Sequence, residues 1–230
     1  MANDTETYKQ QVGEAAANLV EDGMLVGLGT GTTATFLVKA LAARLQNGLH
    51  IRGAVPSSEA TARLAKSLHI PLLPLGAYGE LDLAIDGADE IDPQLNLIKG
   101  GGGALLREKI VASAARRFVV IGDASKLVPR LGTAFALPVE VVPFAQVVVM
   151  GKLKALGANI MMRTLKGSGD LFVTDNGNYI IDCRFPGGIA DPEKLQTQIR
   201  AIVGVVEHGL FLHMAERALI AGPNGLLTLP

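Results

Sequence analysis

Over its first 126 residues the chain alternates short apolar runs with stretches of helical spacing, and few architectures accept that rhythm. The runs cover 24–28, 51–55, 81–85 and 117–122, and between them residues 32–46, 57–68 and 103–116 repeat apolar side chains every three or four positions. A strand buried on both faces reads as a continuous apolar run, and a strand followed by a helix returns to a parallel neighbour. The expectation is an α/β fold with a Rossmann-like parallel sheet flanked by helices.

The rhythm breaks after Lys126, where VPRLGTAFALP carries prolines and a glycine. From 137 the order becomes strand 137–142, helix 144–156, strand 159–163, a hairpin, helix 191–202 and strand 204–208. The hairpin signal is Asp175-Asn176-Gly177-Asn178, since Asn-Gly accepts positive φ at both central residues. This βαββαβ-like order predicts an inserted, smaller α+β domain of ferredoxin-like type with an antiparallel sheet. ALIAG at 218–222 then returns to the first sheet. The domains expected are 1–131 with 208–230, and 132–207.

The run from Ile85 to Lys109, IDGADEIDPQLNLIKGGGGALLREK, concentrates the chemistry. The apolar run 81–85 ends at Asp86, so Asp86, Asp89, Glu90 and Asp92 gather past the carboxyl end of a strand, the edge where open α/β sheets bind ligands. Lys99 precedes the glycines Gly100 to Gly103, and a helical pattern follows. Glycines let backbone approach a ligand, and a helix start offers unpaired N–H groups with partial positive charge. Such a terminus can hold an anion or a developing oxyanion. Glu108 falls in the early turns of that helix. Acidic residues after a strand are also common as turn or cap residues, and that reading stands open for Glu90 and Asp92.

A second loop, GMLVGLGTGTT at 23–33, runs from an apolar strand through Gly27, Gly29 and Gly31 into a helix. It matches neither the G-x-G-x-x-G fingerprint nor a P-loop. What remains is a cradle for phosphate or hydroxyl groups, built from backbone N–H groups and the hydroxyls of Thr30, Thr32 and Thr33, or a tight turn without a ligand.

These stretches, with VPSSEAT (55–61), DGADEID (86–92), KGGGGALLREK (99–109), IGDASK (121–126), LPVEV (137–141) and VTDNGN (173–178), give the chain a resemblance to type A ribose-5-phosphate isomerases over essentially its whole length. The resemblance implies a reversible isomerisation of D-ribose 5-phosphate to D-ribulose 5-phosphate through an enediolate, in the non-oxidative pentose phosphate pathway, with no cofactor and no metal. It implies Glu108 as the general base shuttling a proton between C2 and C1, with Asp86 and Asp89 assisting ring opening and hydroxyl proton transfer. Lys99 and the amides of Gly100, Gly101 and Gly102 are then the donors to the enediolate oxygen. Thr30, Gly31, Thr32, Thr33, Gly87 and Ala88 would hold the substrate, with Lys126 a further contact and Lys9 in the place of an N-terminal phosphate-binding lysine. The family is commonly dimeric or larger, which implies a homodimer or higher homo-oligomer here. Gly103 stands where alanine is also common, and CRFPGGIADP (183–192) differs from other members; the catalytic positions are intact.

Composition narrows the alternatives. A net charge of −1, 4% aromatic residues and no tryptophan supply neither a basic patch nor stacking aromatics, so no nucleic-acid partner is expected. With 49% hydrophobic residues and a mean hydropathy of +0.33, 230 residues can bury a large core. The longest nearly uncharged stretch, 23–38, is broken by glycines and threonines, so no membrane span is expected. The single Cys183 and the polar, acidic start MANDTETYKQ fit a cytoplasmic protein without a leader peptide. His208 and His213 are too ill-spaced, with no HExxH or cysteine pair, for a metal site. Two readings compete with the isomerase. One is a related sugar-phosphate isomerase or deaminase, which would lack the DGADE and KGGG pair. The other is a non-catalytic sugar-phosphate sensor, which would carry a DNA-binding segment and have no use for Glu108.

Overall fold

The computed structural model describes residues 2–77 and 79–230. In chain order the elements are α1 (Ala2–Ala17), β1 (Leu25–Leu28), α2 (Thr32–Gln46), β2 (Gly53–Pro56), α3 (Glu59–Ser67), β3 (Leu83–Gly87), β4 (Glu90–Ile91), β5 (Leu97–Ile98), α4 (Leu105–Ser113) and β6 (Phe118–Asp123). There follow β7 (Leu137–Val141), α5 (Gln146–Ala155), β8 (Asn159–Met162), β9 (Tyr179–Arg184), α6 (Pro192–Arg200), β10 (Val205–His208), β11 (Leu210–Phe211), β12 (Arg217–Gly222) and β13 (Gly225–Leu229). The chain forms two compact units: Met1–Ala88 with Arg107–Lys126 and Met214–Pro230, and Asp89–Leu106 with Leu127–His213. Within the second unit β4, β5 and β11 make a three-stranded sheet of their own.

In the first unit a six-stranded sheet runs β13-β12-β6-β3-β1-β2. Every neighbouring pair is parallel except β12 with β13. The sheet is therefore mixed rather than wholly parallel, because Gly222 pairs with Gly225 across a two-residue turn and folds the C-terminus back along β12. β3 and β6 are central and buried, which is why they open on the unbroken apolar runs LAI and FVVI. The residues around Leu28, Leu37, Leu41, Ile85 and Ile121 form one core. α1, which the polar N-terminal sequence does not announce, joins it through Val12, Ala16 and Ala17. Gly13 permits the approach: a Cβ there would stand 2.8 Å from Phe36 Cβ on α2.

The second unit holds an antiparallel sheet ordered β10-β7-β9-β8, and its core gathers Leu137, Val139, Val149, Leu153, Ile181 and Ile199. Asp191 caps α6, its Oδ1 accepting the Lys194 N–H at 2.9 Å, with Pro192 opening the helix. The hairpin between Thr174 and Asn178 differs from expectation. Only Gly177 has positive φ (78°), and its N–H donates to Thr174 O at 2.9 Å, so this is a three-residue loop ending in a left-handed glycine. Fully buried Glu140 on β7 holds the turn: its Oε1 accepts Thr174 Oγ1 and Asn178 Nδ2, each at 2.9 Å.

Cys183 lies inside this sheet at 1% exposure, and burial, aided by the Asp182 charge, pushes its thiol up to about 12. A buried thiol so far from ionising is a poor nucleophile. The native protein at pH 8 is expected to leave a chromogenic disulfide reagent unreacted, and to titrate one thiol once unfolded in guanidinium. Rapid native labelling would contradict that burial. Among the described residues, no helix is long and apolar enough to cross a membrane.

Candidate active site

The first unit sets its polar residues along the carboxyl edge of β1, β3 and β6. The glycine–threonine loop leaves β1 and enters α2 through Gly31, whose φ of 104° suits only glycine. Asp86 sits inside β3 rather than past its end, 4% exposed, and its Oδ1 accepts the N–H of Thr30 at 2.9 Å and of Gly87 at 2.7 Å. Gly29 makes room for it, since a Cβ there would stand 2.1 Å from that oxygen. The carboxylate thus shapes the loop.

Thr30 is held by a hydroxyl cluster. Its Oγ1 lies 2.8 Å from Ser57 Oγ, 2.9 Å from Ser58 Oγ and 3.2 Å from Thr61 Oγ1. Ser58 also caps α3 by accepting the Thr61 N–H at 3.0 Å, and Thr61 Oγ1 donates to Gly29 O at 2.9 Å. Thr33 is buried at the start of α2, while Gly31 and Thr32 are exposed beside it, leaving a helix start open to solvent. Lys126 follows β6 in a short 3-10 turn, its stem packed against Gly122.

Glu108 lies in the first turn of α4 and is 5% exposed. Val111 of the same helix packs where Gly27 has no side chain, so α4 rests on β1. Arg107 turns aside to Glu59 at 2.7 Å. Lys9 is half-buried on α1, and no described contact joins it to Thr30, Asp86 or Lys126.

In the second unit a two-stranded turn brings Asp89 and Lys99 together. Glu90 pairs with Ile98 across β4 and β5, which sets Asp89 and Lys99 at the two open ends. The Asp89 N–H donates to Ile98 O at 2.8 Å, and the Lys99 N–H donates to Gly209 O at 2.9 Å. Lys99 is 2% exposed, with Nζ 5.4 Å from the centre of the Phe211 ring. Asp89 Oδ2 accepts the Gly101 N–H at 2.7 Å, so the first carboxylate after β3 already grips the glycine loop. Gly100 has a φ of 103°, and a Cβ at Gly101 would stand 2.5 Å from Asp89 Oδ1. Asp92 is a turn residue, its Oδ1 accepting the N–H groups of Gln94 and Asn96 at 2.9 and 2.8 Å. Glu90 anchors the loop at 132–135.

No group of three or more His, Cys, Asp or Glu among the described residues could hold a metal ion. What the two sets offer is carboxylates to move protons, the buried Lys99, and glycine amides at helix starts to meet negative charge.

Residues 53–225 match the family model for ribose 5-phosphate isomerase A (phosphoriboisomerase A). Ribose-5-phosphate isomerase A of Roseiflexus sp. (strain RS-1) is 57% identical over 227 residues, covering 98% of this chain and 97% of that protein. The chain belongs to the ribose 5-phosphate isomerase A family. The ribose 5-phosphate isomerase A structure from Methanocaldococcus jannaschii superposes with a TM-score of 0.93 at 41% identity, covering 98% of this chain and 99% of that one. A D-ribose-5-phosphate isomerase in complex with phospho-erythronic acid gives 0.94 at 37% identity, covering 98% of both chains.

In this member of the ribose 5-phosphate isomerase A family, Ser57, Ser58 and Thr61 stand outside the residues that the sequence motifs single out. They stand in the quoted VPSSEAT stretch, and Ser-x-x-Thr before a helical pattern was the available signal. Arg163 stands outside them too, and no local pattern marks it.

Proposed function

We propose that the chain interconverts D-ribose 5-phosphate and D-ribulose 5-phosphate by moving one proton between neighbouring carbons, with Glu108 as the single base. Ribose-5-phosphate isomerase A activity places it in the pentose phosphate pathway. The open-chain aldose has an acidic C–H at C2; its removal gives an enediolate, and return of the proton to C1 gives the ketose. One carboxylate on one face suffices, and general base participation is worth about 10² to 10⁴ in rate. The observation that carries the reading is Glu108 itself, a buried carboxylate in the first turn of the helix that follows the glycine loop.

Lys99 and the amides of Gly100 and Gly102 meet the enediolate charge, with the Gly101 N–H held by Asp89, and Asp86 and Asp89 handle the proton movements of ring opening and of the hydroxyls. Thr30, Gly31, Thr32 and Thr33 hold the substrate, with Gly87 and Ala88 beside it; Lys126 and Lys9 supply cationic contacts for the phosphate. No step calls for a metal or cofactor. The strand order 4-1-3-2 of the four-stranded sheet, with α5 and α6 as its helices, supports the finer reading of a ferredoxin-like insertion in a Rossmann-like domain. A cytoplasmic location fits the substrate.

A homodimer or higher homo-oligomer belongs to the same proposal. Phe144, Val147 and Val203 are 99%, 73% and 84% exposed around the start of α5, an apolar surface unusual for a monomer. Light scattering should read a multiple of 24.0 kDa, and a mass of one chain at micromolar concentration would end this part.

The test of function is turnover of ribose 5-phosphate by purified protein in excess EDTA. Robust conversion supports the reading. Binding without turnover would favour a sensor, and turnover of glucosamine 6-phosphate alone would favour a deaminase.

A further inference from the structure

Arg163, just past β8, makes a set of bonds that the reaction as described does not use. Its Nε donates to Asp182 Oδ2 at 3.0 Å and its Nη2 to Asp182 Oδ1, a two-pronged grip across the β8–β9 pair. Its Nη1 donates to two successive backbone carbonyls, Gly100 O at 2.7 Å and Gly101 O at 3.2 Å. The backbone is pinned as well: the Arg163 N–H donates to Ile180 O and its carbonyl accepts the Phe172 N–H, both at 2.9 Å. The side chain is 13% exposed. The guanidinium therefore has a fixed origin and a fixed orientation before it reaches the glycine loop.

The consequence follows from peptide geometry. A trans peptide is planar, so a carbonyl and the N–H of the next residue point in opposite directions, and no described peptide is cis. Turning Gly100 O toward Arg163 turns the Gly101 N–H away from it, and that N–H is the one Asp89 Oδ2 accepts at 2.7 Å. Turning Gly101 O the same way turns the Gly102 N–H away too. A cation on each carbonyl also polarises the amide, which makes its N–H a stronger donor. Within the loop the Gly103 N–H donates to Gly100 O at 3.0 Å; glycines have no side chain to hold their peptide planes further, and Arg163 clamps both carbonyls from outside.

We propose that Arg163, aligned by Asp182, is a positioning residue for the isomerisation: it fixes the carbonyls of Gly100 and Gly101, which seats the Gly101 N–H on Asp89 and aims the Gly102 N–H at the oxygen that becomes negative in the enediolate. The inference rests on the Gly102 amide serving as that donor. Lysine cannot replace it fully, because an ammonium lacks the fork that meets a carboxylate and two carbonyls at once.

The experiment compares Arg163→Ala, Arg163→Lys and Asp182→Asn in the full chain, with Glu108→Gln as a control. Arg163→Ala should lower kcat about 10- to 100-fold, short of the full loss of an oxyanion donor, while KM stays within about twofold, as for an interaction made in the transition state. Millimolar guanidinium should restore part of that kcat, and Arg163→Lys and Asp182→Asn should fall between it and wild type. If Arg163→Ala does not fold, those two milder variants carry the test through the same split of kcat from KM. Folded variants with wild-type kcat, or a loss confined to KM, would overturn the proposal. So would a lowered Tm with no guanidinium rescue, which is the mark of a merely structural arginine. A Glu108→Gln control that remains fully active would instead sink the assignment of the site, whatever Arg163 does.

Discussion

Replacing Glu108 with glutamine should cut kcat for ribose 5-phosphate by about 10² to 10⁴ and leave KM nearly unchanged. Glutamine keeps the shape and polarity of the side chain but cannot take up the C2 proton. The factor corresponds to about 3–5 kcal/mol of barrier. The helix that carries the residue should survive the change, because it is anchored by apolar contacts that the substitution does not touch: Leu105 is fully buried and Val111 fills the space above Gly27. Two measurements separate a lost base from a disturbed fold. In deuterated solvent, incorporation of deuterium at the exchanging carbon should slow in step with turnover, since one carboxylate does both. Thermal unfolding should change little. Turnover within a few-fold of wild type would mean that another group takes the proton.

How far the sequence foretold this arrangement depends on the range of the signal. α2 was predicted at 32–46 and is found at Thr32–Gln46, because an apolar strand, a Gly-Thr turn and a helical pattern follow one another within one short stretch. β6 and β12 were legible for the same reason, both being runs buried in the sheet. β4, β5 and β11 have two residues each, too few for any period to register, yet they deliver Asp89 and Lys99. α1 was hidden because its buried stripe is narrow and made largely of alanines on a polar helix. β13 is mostly exposed and carries no alternation of burial that could have marked it as an edge strand.

The site shows the same division. The residues that would touch the substrate were legible because they stand in compact motifs whose chemistry is local: a carboxylate after a strand, a glycine loop before a helix. The residues that hold those motifs in place were not. Thr30 meets Ser57, Ser58 and Thr61 across 27 to 31 positions of sequence, and Arg163 meets Gly100 and Gly101 across 63 and 62. Serines and an arginine in such places look like surface until the fold brings them in. Glu90 belongs with them, since the open choice between a solvated turn residue and a functional carboxylate resolves into neither.

Glu90 should prove to be the most damaging carboxylate to remove for stability. It is fully buried, its Oε2 accepts the Gly132 N–H at 2.5 Å, and its Oε1 accepts those of Ala134 and Phe135 at 2.5 and 2.6 Å. A negative charge meeting three amide dipoles is the charge-assisted arrangement that makes such bonds strong. Truncation to alanine leaves three N–H groups facing a cavity, at about 1–3 kcal/mol for each that finds no water. Glu90→Ala is therefore expected to lose about 3–5 kcal/mol, a large share of the stability of an ordinary domain. Glu90→Gln is the more telling variant, since it fills the same space but turns an amide NH₂ toward backbone donors; it should lose about 2–3 kcal/mol on the same scale. Asp92→Ala, which takes one buried acceptor from two N–H groups in a tight turn whose next residues Pro93 and Gln94 are exposed, should cost less, about 1–2 kcal/mol. Urea unfolding reads all three, with the midpoint falling in that order and the slope unchanged. Hydrogen exchange locates the effect, because the amides of Gly132, Ala134 and Phe135 should lose protection before the rest of the sheet does. A Glu90→Gln protein as stable as wild type would mean that water replaces the lost acceptor and that the loop at 132–135 is held by its apolar neighbours instead.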